Sequence, residues 1–157
     1  MREAIGDSYK MALKARDERR TRTLRAINAA IKDRDIANRG EGKGPLGSDE
    51  ILTLLQKMVK QREESFAIYA EAGRNDLATV EKEEIDILNE YLPKPLSEAE
   101  IDDAIRAAIA ATGAAGGKDM GKVIASLKAD YPGRIDFGKA SGKVKAAQVA
   151  PAKAAAS

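Results

Sequence analysis

The sequence predicts an all-α protein, with an N-terminal four-helix bundle-like domain followed by a small C-terminal three-helix domain. Three observations carry this. Apolar residues recur at helical spacing in seven stretches, and no stretch alternates with period two over a useful length. Aromatics are scarce, with two Phe, four Tyr and no Trp in 157 residues, so the core is built of Leu, Ile, Val, Ala and Met. Finally, Leu92-Pro93-Lys94-Pro95-Leu96 breaks the chain: two prolines in three residues remove backbone donors and impose extended geometry.

The elements follow in order. Ile5, Tyr9, Ala12 and Leu13 form the first stripe, and a short bend near Arg16–Arg20 leads to a second of Leu24, Ile27, Ala30 and Ile31, running toward Ile36. Arg39 to Gly47 holds four glycines and a proline and is a loop. Ser48 is placed to cap the third helix, with Asp49 and Glu50 at its positive end and Ile51, Leu55, Met58, Val59, Phe66 and Tyr69 on its apolar side. Gly73 suits a left-handed C′ position. Asn75 then caps a fourth helix carrying Leu77, Val80, Ile85, Leu88, Tyr91 and Leu92. Ser97-Glu98-Ala99-Glu100 has capping-box spacing and starts a fifth, stopped by Gly113. Met120, Val123, Ile124 and Leu127 mark a sixth, closed by Tyr131-Pro132-Gly133. The last, Gly138–Gln148, contains two glycines and is weak on propensity. The expected division is 1–92, a Pro-rich linker at 93–96, a three-helix domain at 97–148 and a disordered Ala-rich tail at 149–157.

Composition limits the chemistry. There is no cysteine and no histidine, which removes thiolate nucleophiles, Cys-type zinc sites, the usual general acid–base near neutral pH and the commonest metal ligand. No cofactor and no catalytic constellation are expected. No apolar run approaches the ~20 residues of a membrane span. Met1 to Asp7 carries acids rather than an apolar segment, so a cytoplasmic protein without a membrane partner is expected. Net charge is +2, but residues 1–38 carry ten basic and six acidic groups, residues 39–117 nine and sixteen, and residues 118–157 eight and three. Basic ends around an acidic middle point to a polyanionic partner.

Within the basic C-terminal part, Gly116-Gly117-Lys118-Asp119-Met120-Gly121-Lys122-Val123 comes close to a nucleotide-binding P-loop. Val123, however, stands where a hydroxyl must hold magnesium, and a helix rather than a strand precedes it. A glycine-rich turn opening a helix is the better reading. The candidate RNA-binding residues are Lys118, Lys122, Lys128, Arg134, Lys139, Lys143 and Lys145, with Lys139 and Lys143 one turn apart. Without exposed aromatics, phosphate or shape recognition is expected rather than base stacking. A secondary basic strip, Arg22, Arg25 and Lys32, lies opposite the Leu24–Ile27–Ile31 stripe, diluted by Asp33 and Asp35. Glu81, Glu83, Glu84, Asp86 and Glu90 read as a solvated acidic face rather than a metal site, since histidine is missing. Arg62 falls near the apolar column between Met58 and Phe66, and is expected to pair with a carboxylate of the fourth helix.

Five segments taken in order resemble the GatB/YqeY family, specifically its stand-alone YqeY-like members, over roughly residues 1–148. They are Leu24-Arg25-Ala26-Ile27 with Ala30-Ile31-Lys32; Val59-Lys60-Gln61-Arg62-Glu63-Glu64-Ser65; Ala72-Gly73-Arg74-Asn75-Asp76-Leu77; Tyr91-Leu92-Pro93-Lys94-Pro95-Leu96-Ser97; and Lys118-Asp119-Met120-Gly121-Lys122-Val123. The resemblance implies a helical bundle, then a small domain similar to the tail of the B subunit of glutamine-dependent tRNA amidotransferase, which contacts the body of the tRNA. In that enzyme the chemistry belongs to a cradle domain and a separate glutaminase subunit, neither of which this chain has. The segment Phe137-Gly138-Lys139-Ala140-Ser141-Gly142 departs from the family pattern. The functional expectation is an accessory protein binding tRNA or another structured RNA, beside a tRNA-processing enzyme. Two alternatives stay open: an amidotransferase-like carbon–nitrogen ligase acting in a complex with glutamine as donor, and a protein–protein adaptor. Oligomeric state is left open.

Overall fold

The computed structural model of the chain describes residues 1–114 and 119–149. Among the described residues there are seven α-helices and no strand: α1 Arg2–Ala15, α2 Glu18–Gly40, α3 Ser48–Glu71, α4 Asn75–Asn89, α5 Glu98–Thr112, α6 Met120–Asp130 and α7 Phe137–Val149. The chain forms two compact units, Met1–Pro93 and Lys94–Ser157. The expected Ala-rich tail lies outside the described residues, except that Val149 belongs to α7.

In the first unit the helix ends are set by local chemistry. Arg16 takes a left-handed conformation (φ 56) after α1, and Asp17 then caps α2 by accepting from Arg20 N at 3.1 Å. Helix α3 closes on a Schellman motif. Arg74 N donates to Tyr69 O at 2.9 Å and Gly73 N to Ala70 O at 3.2 Å, with Gly73 at φ +73, a conformation that glycine adopts without strain. Two expected caps shift by one residue. Gly47 and Arg74 occupy the N-cap positions, and Ser48 and Asn75 are the first helical residues. The Glu50 carboxylate accepts from Gly47 N at 3.4 Å and does part of the work assigned to Ser48.

Ile5, Ala12, Leu24, Ile27, Ile31, Leu46, Ile51, Leu55, Met58 and Leu88 form one buried cluster. Each fully enclosed Leu or Ile contributes about 1.5–3 kcal/mol. Leu13 and Ile36 do not join it, being 46% and 56% exposed. At about 100° per residue, Leu13 turns away from Ala12, and Ile36 points some 140° from Ile31. Phe66, further along α3, is also exposed, because the cluster reaches only as far as Met58 on that helix.

Charged contacts then fix α4 against its neighbours. Arg62 of α3 meets Glu84 of α4 at 2.8 Å, with only 18% and 11% of the two side chains exposed, as the position of Arg62 in its apolar column requires. Its guanidinium also reaches Met58 O at 3.4 Å. Arg19 and Arg20 of α2 contact Glu83 at 3.0 Å and Glu90 at 2.8 Å. Of the five acids expected to form a solvated face, Glu83, Asp86 and Glu90 are exposed, but Glu83 and Glu90 also meet α2, and Glu84 is buried against Arg62. A one-dimensional pattern hides this, because the partners lie 22 to 70 residues away. At the opposite end, Arg2 grips Asp35 with both terminal nitrogens (2.7 and 3.1 Å) and Leu46 O at 3.0 Å, while Leu46 N donates back to Asp35 at 2.9 Å. The Arg2 guanidinium and the Leu46 amide hold the Asp35 carboxyl below the usual range.

In the second unit, Ser97 and Glu100 form the expected capping box: Ser97 Oγ accepts from Glu100 N at 3.2 Å, and Ser97 N donates to the Glu100 carboxylate at 3.1 Å. Gly113 ends α5 in the left-handed region. Leu96, Ala104, Ile105, Ala108, Val123, Leu127, Ile135, Ala140 and Val144 make the core. Helix α7 forms despite its glycines because Asp136 starts it, accepting from Gly138 N at 2.9 Å on its carboxylate and from Ala140 N at 2.9 Å on its carbonyl. Ala140 and Val144 then anchor it.

A β-carbon at Gly142 meets nothing within 4 Å. Gly142→Ala is therefore expected to raise stability by about 1 kcal/mol in urea unfolding of the whole chain. Arg62→Ala strands a nearly buried carboxylate and is expected to cost about 3 kcal/mol, whereas the double change Arg62→Met with Glu84→Leu should recover most of it. A loss below about 0.5 kcal/mol for Arg62→Ala would mean that the pair behaves as a solvated surface contact.

Candidate nucleic-acid interface

Of the seven cations expected to meet RNA, six are carried by α6, α7 and the turn between them, and they divide into two kinds. Lys118 lies outside the described residues. Arg134 and Lys143 have structural partners. Arg134 Nε donates to Lys94 O at 2.9 Å while Leu96 N donates to Arg134 O at 3.0 Å, so this residue staples the start of the unit to the 131–136 turn. Lys143 pairs with Asp102 of α5 at 3.1 Å. Lys128 lies over the Phe137 ring, 5.4 Å from its centroid, where the cation meets the negative face of the ring.

Lys122, Lys139 and Lys145 are exposed. Lys122 has Asp119 Oδ1 at 3.7 Å, a contact too long and too solvated to hold it firmly. Lys139 and Lys145 make no ion pair with any described residue. With Ala140 and Val144 turned inward, the helical repeat puts Lys139 and Lys143 on one flank of α7 and Lys145 on the other. On α6, Lys122 and Lys128 likewise flank the buried Val123 and Leu127. The cations thus frame the outer edges of two helices and do not form a single plane.

Part of the P-loop-like segment is among the described residues. Residues 115–118 lie outside the described residues. Val123, where a nucleotide site needs a magnesium-binding hydroxyl, is fully buried in the core. That position serves packing.

In the first unit, Arg22, Arg25 and Lys32 are all exposed on α2, opposite the buried Leu24, Ile27 and Ile31. The Tyr9 hydroxyl accepts from Arg25 Nε at 3.4 Å. Of the two acids expected to dilute the strip, Asp35 is turned away and held by Arg2. The acids of α4 do not assemble a cation site, and no group of three or more metal-ligating side chains is found among the described residues. Burial, with Glu84 close by, pushes the Glu81 carboxyl above its ordinary range, while Arg62 opposes that shift. This is the electrostatics of a tie between helices rather than of a reactive acid. No described helix is long and apolar enough to cross a membrane.

The described residues form an all-helical protein with exposed cations on α2, α6 and α7. The family model described as Yqey-like protein matches residues 2–148, and the chain belongs to that family. It is similar to fungal proteins named Altered inheritance of mitochondria protein 41, mitochondrial. Identity is 35% over 95 residues with the Lachancea thermotolerans protein, covering 59% of this chain and 49% of that one. It is 29% over 125 residues with the Pyrenophora tritici-repentis protein, covering 76% and 66%. With that of Saccharomyces cerevisiae it is 31% over 101 residues, covering 62% and 52%. The chain spans about half to two thirds of the length of these curated relatives.

Because Arg134 is engaged on both its side chain and its carbonyl, Arg134→Ala is expected to lower stability by about 1 kcal/mol in thermal or urea unfolding. Arg134→Lys should not restore it fully, since lysine lacks the Nε–H that meets Lys94 O. A variant as stable as the parent would return Arg134 to the pool of cations without a structural task.

Proposed function

We propose that the protein is an accessory RNA-binding module, with tRNA or another structured RNA as its partner, acting beside a tRNA-processing enzyme and without a complete active site of its own. The two units are read as a four-helix bundle and a three-helix domain, the second similar to the tail of the amidotransferase B subunit. The observation that carries the proposal is the exposure of Lys122, Lys139 and Lys145 on the outer edges of α6 and α7, while nearby Arg134 and Lys143 are held by structural partners. Flexible ammonium groups along helix edges suit phosphate contacts, which give affinity without base readout. The fungal relatives bear a mitochondrial name; for this chain the proposal is the cytoplasm, which fractionation of the source cells would check.

Equilibrium binding of the purified chain to bulk tRNA should weaken steeply between 50 and 200 mM salt. Replacing Lys122, Lys139 and Lys145 together by Ala should reduce the slope of log K against log salt by about 2–3, if each lysine neutralises one phosphate. Affinity indifferent to salt, or unchanged in the triple variant, would remove these lysines from any RNA contact. Amide formation on misacylated tRNA by the chain alone, supplied with glutamine and ATP, would overturn the non-catalytic part of the proposal.

A further inference from the structure

Helix α2 carries seven cationic side chains, and apart from Arg34, which is exposed on another face, the structure separates them by task. Arg19 meets Glu83 of α4, and Arg20 meets Glu90 at its C-terminal cap. Arg22, Arg25 and Lys32 face outward and have no carboxylate partner among the described residues, and Arg39 continues the same line one turn beyond Ile36. Positions 22, 25, 29, 32, 36 and 39 advance by alternating steps of three and four, which keeps them on one face of an α-helix. Arg22 and Lys32 are about 15 Å apart along the axis at 1.5 Å per residue.

Two observations separate this ridge from an ordinary solvated face. Such a face carries acids at neighbouring turns that pair with its bases. Here Glu18 stands on the line itself, one turn before Arg22, and Asp33 lies beside it, but among the described residues neither reaches ion-pair distance of Arg22, Arg25 or Lys32. Asp17 and Asp35 are drawn off to Arg20 and Arg2. In addition, the Tyr9 hydroxyl takes Arg25 Nε, and also Nη2 at 3.5 Å, so a neutral acceptor positions the guanidinium without cancelling its charge.

We propose that this ridge of α2 is a second contact for the phosphate backbone of a nucleic acid, separate from the cations of α6 and α7. The proposal rests on the RNA-binding reading above and adds a site in the other unit. A line of cations one side chain wide matches a chain of phosphates. A lipid surface would ask for a broad apolar flank, whereas Ile36 is the single large apolar residue along this line. Guanidinium forks at two positions also suit phosphate oxygens.

The test uses the full chain and labelled bulk tRNA, with polyglutamate as a polyanion lacking phosphate. Arg22→Gln, Arg25→Gln and Lys32→Gln combined should weaken tRNA binding at least tenfold and lower the salt slope by about 2–3, while unfolding stays at the parent temperature because all three side chains are exposed. Arg22→Lys with Arg25→Lys, which keeps the charge, should retain the salt slope. The Lys122, Lys139 and Lys145 variant separates the two sites. Loss in the α2 variant alone supports the ridge and removes the C-terminal site; loss in the C-terminal variant alone does the reverse; loss in both supports both. Parent-like affinity and slope in the α2 variant would overturn the ridge, and no tRNA binding by the parent chain would overturn both sites. Polyglutamate competing as well as tRNA at equal charge would replace the nucleic acid with an acidic polypeptide and overturn the proposal as stated.

Discussion

Arg62 and Glu84 meet in the seam between α3 and α4 where water has little access, and neither tolerates that position alone. A guanidinium among Met58 and its apolar neighbours needs a carboxylate at hydrogen-bonding distance, and Glu84 supplies one at 2.8 Å. The pair therefore sets the register of the α3–α4 hairpin, whose turn the left-handed Gly73 closes. Once that register is set, Glu83 and Glu90 face α2 and take Arg19 and Arg20. The rotation of α2 is set by its apolar stripe: Leu24, Ile27 and Ile31 turn inward and Arg22, Arg25 and Lys32 turn outward. One desolvated contact thus joins the third and fourth helices, while apolar burial decides which positive charges of α2 reach solvent.

Much of the helical order was legible because it is written in short-range chemistry. The Ser97–Glu100 box, the glycines at 73 and 113 and the stripes centred on Ile27 and Leu55 each need only a few neighbouring residues to be read. Errors of one residue at Ser48 and Asn75 arose where two adjacent residues compete to be the cap. The Asp136 start of α7 was missed because the glycines at 138 and 142 dominate its propensity. Leu13 and Ile36 misled for a simpler reason, being apolar residues off the helical phase of their neighbours.

The candidate site was legible only in composition. A sequence shows where lysines and arginines accumulate, but not which of them are already engaged. Arg134 and Lys143 find partners 40 and 41 residues away, and no local pattern marks them. Among the acids of that run, Glu84 misled in the same way, since it looks solvated until Arg62 of α3 is placed against it, while Glu83, Asp86 and Glu90 are exposed as expected. In both units, three-dimensional pairing divides similar side chains into those that hold the molecule together and those that face outward.

The Arg2–Asp35–Leu46 knot bears on how this chain tolerates change in length. It fastens Leu46 directly, so the stretch from Glu41 to Pro45 spans a gap whose two ends are already secured. Closing a flexible segment becomes harder only slowly as it grows, by about 0.6 kcal/mol for each doubling. Insertions there should accumulate across evolutionary time with little thermodynamic penalty. A single-residue shift at Leu46 would release the loop from the knot, while Arg2 and Asp35 would still join the first helix to the second.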